Sequence, residues 1–337
     1  MLDSFFNPKS IAIISDNSEN YSEINMQNSR TYMTHENQMK NIMDEIDLVI
    51  IDTKGKRVLE AVKQCMKKNV NACIIHYNIE EARKLAKGHH IRLINGVVFD
   101  THTGFSSSDF RMATKGDISF VSQSSSYGKT VVDAAISGNI GLNKFISADM
   151  SDVDEEEILD YLEKDQNTKS VALYLENFDK KIYEKLRKMT KPVVVLNPGN
   201  KYSGIIKQAG CIEAKSTEEL LDFSKILSMH QNGSTVSIIT NNEGLRPVAM
   251  HAAEHEGLEI DKKGKGDITL AILSFHEPVS EKDIDKIKDN AVVCGTGNEF
   301  TMLHKNMIEN RGVPVYPTPE RAVRSIKALL KWEKMRN

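Results

Sequence analysis

The chain has 337 residues, with 44 Lys+Arg against 47 Asp+Glu and a formal net charge of −3. At roughly 100–200 residues per domain this predicts two or three domains, and the balance of charge argues against nucleic acid or an anionic membrane surface as partner. With 40% apolar and 27% charged residues the composition is that of an ordinary globular protein, which excludes whole-chain disorder, and no apolar run approaches the roughly 18 residues of a membrane-spanning helix.

The first residues, Met1-Leu2-Asp3-Ser4-Phe5-Phe6, have neither a basic start nor a long apolar stretch, so no secretion signal is expected. Cys65, Cys73, Cys211 and Cys294 form no CxxC pair; they are expected to be reduced thiols in a cytoplasmic protein, with no metal framework. Short Val/Ile-rich runs predict strands at 10–15, 47–52, 70–76, 118–122, 169–175, 192–196, 235–240, 267–274 and 291–294. Most are apolar at both alternating positions, the pattern of strands buried on both faces in parallel sheets. Between them, helix-period segments fall near 55–68, 80–88, 128–137, 154–164, 179–189, 217–229, 244–256, 280–289, 298–310 and 319–334. Ser216 with Glu219 reads as a capping box, and Thr318-Pro319 as N-cap and first helical residue. Strands alternating with helices predict doubly wound α/β units. Polar breaks at 112–117 and 229–234 divide the chain into three α/β domains, 1–114, 115–231 and 232–337.

Ligands of open α/β sheets bind outside the carboxyl ends of the strands, so the turns there are the candidate sites. The first turn, Ser15-Asp16-Asn17-Ser18-Glu19-Asn20, has no glycine, and Asp16 and Glu19 would oppose a phosphate; on its own it reads as a polar surface loop. The turn after strand 118–122 is the sharpest local signal: Ser122-Gln123-Ser124-Ser125-Ser126-Tyr127-Gly128-Lys129-Thr130 leads into a helix, where hydroxyls and free N–H groups can hold an anion. Gln123-x4-Gly128-Lys129-Thr130 has the spacing of a phosphate-binding P-loop, but glutamine stands where the first glycine is needed, which counts against that reading. The alternative is a serine-rich helix cap with nothing bound. The third turn, Asn241-Asn242-Glu243-Gly244-Leu245-Arg246, offers one acid and one base and is a weak site. His251 and His255 have the spacing of a zinc-binding pair, yet residue 252 is Ala and no third ligand is near, so no metal site is expected.

Six stretches, in order, resemble the α portion of the NDP-forming acyl-CoA synthetases, the superfamily of succinyl-CoA synthetase. Phe6-Asn7-Pro8-Lys9-Ser10-Ile11-Ala12-Ile13 resembles that family's opening, Gly116-Asp117-Ile118-Ser119-Phe120-Val121-Ser122-Gln123-Ser124 its "GNIAFISQSG", and Lys191-Pro192-Val193-Val194-Val195-Leu196 its "KPVVVLKSG". Asp152-Val153-Asp154, Ala172-Leu173-Tyr174-Leu175-Glu176 and Gly312-Val313-Pro314-Val315-Tyr316 with Pro319-Glu320-Arg321-Ala322 complete the set. The resemblance implies an N-terminal Rossmann-like CoA-binding-type domain followed by two flavodoxin-like domains. It also implies a phosphoryl relay in which an acyl-CoA and phosphate give an acyl phosphate, and a histidine carries the phosphoryl group to an ATP-grasp domain.

Several of the family's functional positions differ. No histidine lies between His102 and His230, so the segment that carries the phosphorylated histidine is missing. The glycine of "SQSG" is Ser125, the first-domain glycine is Ser15, and the "GPNC" turn is reduced to Ile94-Asn95-Gly96-Val97. Glu176 stands at the glutamate that orients the histidine, and is the one tentative catalytic residue. Ser15, Asn17, Ser122, Ser124, Ser125, Ser126 and Gly128 are the candidate cofactor-binding positions. The resemblance thus implies an α-subunit-like protein impaired in catalysis when alone and CoA-binding or regulatory in role, with weak coenzyme A binding, a phosphate site and no metal. An ATP-grasp β subunit and a homo-oligomer are the partners it allows. An active acid–thiol ligase working with a separate ATP-grasp subunit, and a non-enzymatic scaffold, are the alternatives.

Overall fold

The computed structural model describes residues 2–16, 21, 30–36, 38–42, 45–77, 79–147, 149, 151–229, 233–261, 263–275, 287–288, 290–297 and 300–336. All nine predicted strands are present, joined by seven that the sequence pattern did not announce. The first sheet holds β1 (Ser10–Ser15), β2 (Arg30–Thr34), β3 (Leu48–Asp52), β4 (Ala72–Ile75) and β5 (Arg92–Asn95), with the order β2-β1-β3-β4-β5 and every pair parallel. The second sheet takes β6 (Val98–Asp100), β7 (Phe105–Ser106), β8 (Lys115–Ser122), β9 (Leu142–Ser147), β10 (Ser170–Tyr174), β11 (Val193–Leu196) and β12 (Ile212–Ala214) in the order β12-β11-β10-β8-β9-β6-β7. β6 and β7 precede the expected break near 115, yet they pair antiparallel into this sheet beside β9. The third sheet runs β13 (Val236–Thr240), β14 (Ile268–Phe275), β15 (Ala291–Gly297), β16 (Val315–Tyr316), and Ile260 bridges to the free side of β13.

The three sheets repeat one winding. Counting strands within each unit, and taking Ile260 as the second of the last, all three read 2-1-3-4-5 at their parallel core. In such a sheet the strand order reverses between the first and third strands, and the crevice there is the binding position of the fold. The three crevices lie between β1 and β3, β8 and β10, and β13 and β14.

Eleven helices are described: α1 (Asp3–Phe6), α2 (Lys56–Lys67), α3 (Ile79–Ala86), α4 (Ser125–Ser137), α5 (Glu155–Lys164), α6 (Lys180–Leu186), α7 (Ser203–Gln208), α8 (Thr217–Ser228), α9 (Arg246–His255), α10 (Phe300–Glu309) and α11 (Pro319–Arg336). The helix expected near 280–289 lies largely outside the described residues. The Ser216 hydroxyl caps Glu219 N–H as the sequence pattern predicts. Every residue of α8 from Leu220 to Ser228 is buried, because the helix is a shared layer between the second and third sheets. Polar groups on so buried a helix must be paired. Arg321 of α11 grips Asp222 through two bonds of 2.7 and 2.8 Å, and Lys225 reaches Glu309 of α10 at 3.1 Å. A second core spans the first and second sheets, with Phe5, Phe6, Ile11 and Ile13 packed together with Val121, Val171 and Leu173. The three units are therefore continuous in packing.

β9 carries the least expected feature. Asn143 and Lys144 interrupt its apolar run yet are buried, and Lys144 Nζ lies 3.0 Å from both Asp100 and Asp165. Asn143 and Thr168 also donate to Asp165. Burial would raise the Asp165 carboxyl, but the hydrogen bonds of Thr168 and Lys144 outweigh it and hold the group below its ordinary value.

Candidate functional site at the second switch point

β8 ends at Ser122, and α4 begins at Ser125, three residues before the helix-period segment near 128–137. The turn is built from its own serines. Ser122 Oγ donates to Ser124 O at 2.7 Å and accepts from Ser124 N at 3.2 Å. Ser124 is the N-cap: its backbone is extended and its hydroxyl accepts Tyr127 N–H at 3.3 Å. Gly128 N–H is bound to Ser124 O, and a Cβ on Gly128 would stand 2.7 Å from the Phe145 ring, so this glycine lets α4 lie close on β9. The N–H groups of Ser125 and Ser126 remain without a hydrogen bond among the described residues. They sit at the positive end of a helix of 13 residues.

Gln123 is a clasp across the switch point. Its Oε1 accepts the N–H groups of Glu176 and Asn177 at 2.7 and 2.9 Å, while Nε2 donates to Glu155 and to Asn177 O. A glutamine therefore stands at the Walker-type position for a reason: it ties β8 to the chain leaving β10. The clasp also ties the backbone of Glu176 to the Ser122–Ser126 turn. Tyr174 Oη donates to Glu176 Oε1 at 3.2 Å, and the Tyr174 ring lies on Tyr127 of α4, 4.2 Å between centroids. Burial, with Glu176 next to it, pushes the Tyr174 phenol up to about 12. On the β9 side of the turn, burial and then the charge of Glu176 raise the Asp149 carboxyl above its ordinary value. Glu176 and Asp149, each two residues past the end of its strand, thus feel one another's charge. Asp149 escapes sequence reading because strand β9 does.

The glycine-to-serine change at 125 has a visible consequence. Ser125 Oγ donates to Ser147 Oγ at 2.9 Å, and Ser147 in turn donates to Asn95 O and accepts Val97 N–H. Gly96, with φ +115°, fits beneath them: a Cβ there would lie 1.9 Å from Ser147 Oγ and 2.5 Å from Ser125 Oγ. This seam closes the carboxyl end of β5 onto the first turn of α4.

At the first switch point, Ser15 Oγ donates to Asp52 Oδ2 at 3.2 Å. Asp16 is bonded by Thr53 at 2.8 Å and by Arg57 at the start of α2, and Arg57 also holds Glu36 at 2.9 and 3.0 Å. Asp16 is therefore paired, and Arg57 is shared by two carboxylates. Asn17 lies outside the described residues. His76, at the end of β4, shares a hydrogen bond with Ser107 O at 3.3 Å, and burial holds its imidazole below its ordinary value against the pull of Asp52. Among the described residues no three His, Cys, Asp or Glu side chains gather in a metal-binding group, and no helix is long and apolar enough to cross a membrane.

Residues 115–204 match the model of the succinyl-CoA ligase like flavodoxin domain, which contains the Ser122–Ser126 turn and Glu176. The ADP-forming acetate–CoA ligase I of Archaeoglobus fulgidus is 26% identical over 87% of this chain, which spans 56% of that protein's length. The α subunits of the ADP-forming acetate–CoA ligases II and I of Pyrococcus furiosus are 28% and 24% identical, covering 78% and 91% of this chain and 69% and 87% of theirs. The fold is that of a Pyrococcus horikoshii protein, with a TM-score of 0.85 at 23% identity over 99% of both chains. It is also that of the dinucleotide forming acetyl-coenzyme A synthetase 1 of Candidatus Korarchaeum cryptofilum, solved with phosphate and ADP, with a TM-score of 0.81 at 17% identity over 100% of this chain and 97% of that one.

Proposed function

From its place in the family of NDP-forming acyl-CoA synthetases and succinyl-CoA synthetase α subunits, to which this chain belongs, we propose that it is an α-type component that binds phosphate and, weakly, coenzyme A, and that passes no phosphoryl group by itself. The carrying observation is the combination at the second switch point. The free N–H pair of Ser125 and Ser126 keeps an anion site, while no histidine occurs anywhere from residue 103 to 229 to receive a phosphoryl group there. Imidazole is the nucleophile that such a relay needs near neutral pH.

The first switch point supports weak coenzyme A binding. A diphosphate needs close backbone approach and unpaired donors. Here Ser15 is engaged by Asp52, and Arg57 by Asp16 and Glu36. In this reading the protein is cytoplasmic and works with a separate ATP-grasp chain, with a second copy of itself, or with both. An active ligase α subunit, its histidine supplied in trans, is the second reading. It is favoured by Glu176, whose N–H is held by Gln123 of the turn and whose carboxylate accepts the Tyr174 hydroxyl.

Calorimetric titration of the full chain with phosphate, coenzyme A and acetyl-CoA tests the proposal. Measurable phosphate binding and a coenzyme A dissociation constant weaker than about 1 μM, corresponding to about −8 kcal/mol, are expected. No binding of any of the three would refute it in favour of a scaffold role.

A further inference from the structure

Alongside the edge strand β12, separated from β8 by β10 and β11, the second and third domains enclose a groove of about 470 Å³. Its walls come from α7, β12 and α8 on one side and from α11 on the other. Phe223 and Ala328 give it an apolar floor, and Lys207, Lys215, Lys331 and Lys334 stand around it. None of these four lysines has a carboxylate partner among the described residues. Arg324 in the same groove is held by Glu218 and Glu219, so it contributes little free charge. These four ammonium groups outnumber the carboxylates of Glu213 and Glu256 that also line the concavity, and low-dielectric walls concentrate the resulting field on whatever enters.

The floor has a demand of its own. Glu213, on β12, receives the Ser203 hydroxyl on one oxygen, while its other oxygen is enclosed with no donor among the described residues. The terminal torsion of a glutamate is broad and roughly two-fold, so a small turn presents that carboxylate to a donor in the groove. An occupant that meets all three features carries several negative charges for the lysines, a flat apolar body for Phe223 and Ala328, and amino or hydroxyl donors for Glu213. We propose that the groove is a binding site for a nucleoside di- or triphosphate, which would bridge α7 and β12 to α11 and brace the seam between the second and third domains. This inference is independent of the phosphate and coenzyme A sites proposed above.

The test is titration of the full chain with ADP, adenosine and inorganic tripolyphosphate at low salt. ADP should bind, each half-ligand more weakly, and raising salt to about 0.5 M should weaken ADP strongly by screening the lysines. The double variant Lys331→Glu/Lys334→Glu should weaken ADP by at least about tenfold, since it replaces two attractions by two repulsions. Both side chains are exposed, so the fold should survive, and unchanged circular dichroism and melting without ligand check this. Ser125→Asp, at the α4 turn, should leave ADP binding unchanged. Absence of ADP binding, or binding equally tight in the double lysine variant, overturns the proposal. Loss of ADP binding in Ser125→Asp would move the nucleotide to the α4 turn and overturn it likewise.

Discussion

Glu176→Gln is expected to strengthen phosphate binding at the α4 turn. The carboxylate is tied to Tyr174, whose ring lies on Tyr127 in the first helical turn, and the backbone of residue 176 is fixed by Gln123. The substitution removes a charge and leaves both anchors, because a side-chain amide still accepts from Tyr174 and the Gln123 bonds go to backbone. For unit charges about 7 Å apart, repulsion is about 0.6 kcal/mol in water and about 2.4 kcal/mol at an effective dielectric of about 20. Phosphate affinity should therefore rise between about threefold and fiftyfold.

The same change is read in a second observable. Glu176 helps to hold the Asp149 carboxyl above its ordinary value, after burial. A carboxyl raised in the folded state contributes stability that is present below its unfolded pKa of about 4 and is lost as pH rises through the folded value. At neutral pH, Asp149 beside Glu176 thus works against folding. Glu176→Gln should lower the Asp149 titration midpoint by NMR and raise stability at neutral pH, with the gain vanishing in acid. Unchanged phosphate affinity together with an unchanged Asp149 midpoint would show that Glu176 does not face the turn, and the anion-site reasoning would fail.

Asp16→Asn should leave Arg57 with one carboxylate instead of two and tighten coenzyme A by up to about fivefold, the scale of an exposed ion pair; weakened binding in calorimetry would contradict this. Gly96→Ala forces a Cβ to within 1.9 Å of Ser147 Oγ at positive φ, and should cost about 2–6 kcal/mol in denaturant unfolding, partly recovered by adding Ser147→Ala. Gly104→Ala is the control: it also has positive φ, +76°, but nothing lies within 4 Å, so only about 1–2 kcal/mol is expected. Lys144→Met leaves Asp100 and Asp165 buried together and should cost about 3–5 kcal/mol, with part regained when both become Asn; an equal loss in the triple variant would show that packing, not charge, is at stake.

The main strands were legible because burial on both faces leaves continuous Val/Ile runs, as in Leu48–Asp52 and Val193–Leu196. β9 was not, since Asn143 and Lys144 read as polar until Asp100, Asp165 and Thr168 are known to meet them. β2 was missed for the opposite reason: Arg30–Thr34 is a half-exposed edge strand with little apolar signal. At the site, the serine-rich cap and its helix were readable from local chemistry. The clasp of Gln123 was not, because its partners Glu176 and Asn177 lie more than fifty residues away and meet it only through β8–β10 pairing. A similar device recurs at the third switch point, where Asn241 exchanges hydrogen bonds with Ser274 at 2.8 and 3.1 Å. A crevice crossed by a side-chain amide in this way is one that sequence alone reads as an ordinary polar loop.

The protein as proposed is an α-type component with an anion site and no phosphoryl relay of its own. Intact-mass analysis of the full chain, after incubation with ATP and Mg²⁺ and separately with acetyl-CoA and phosphate, tests it most directly. The account predicts an unmodified protein in both cases. Acid-labile phosphate on any of the ten histidines would contradict it.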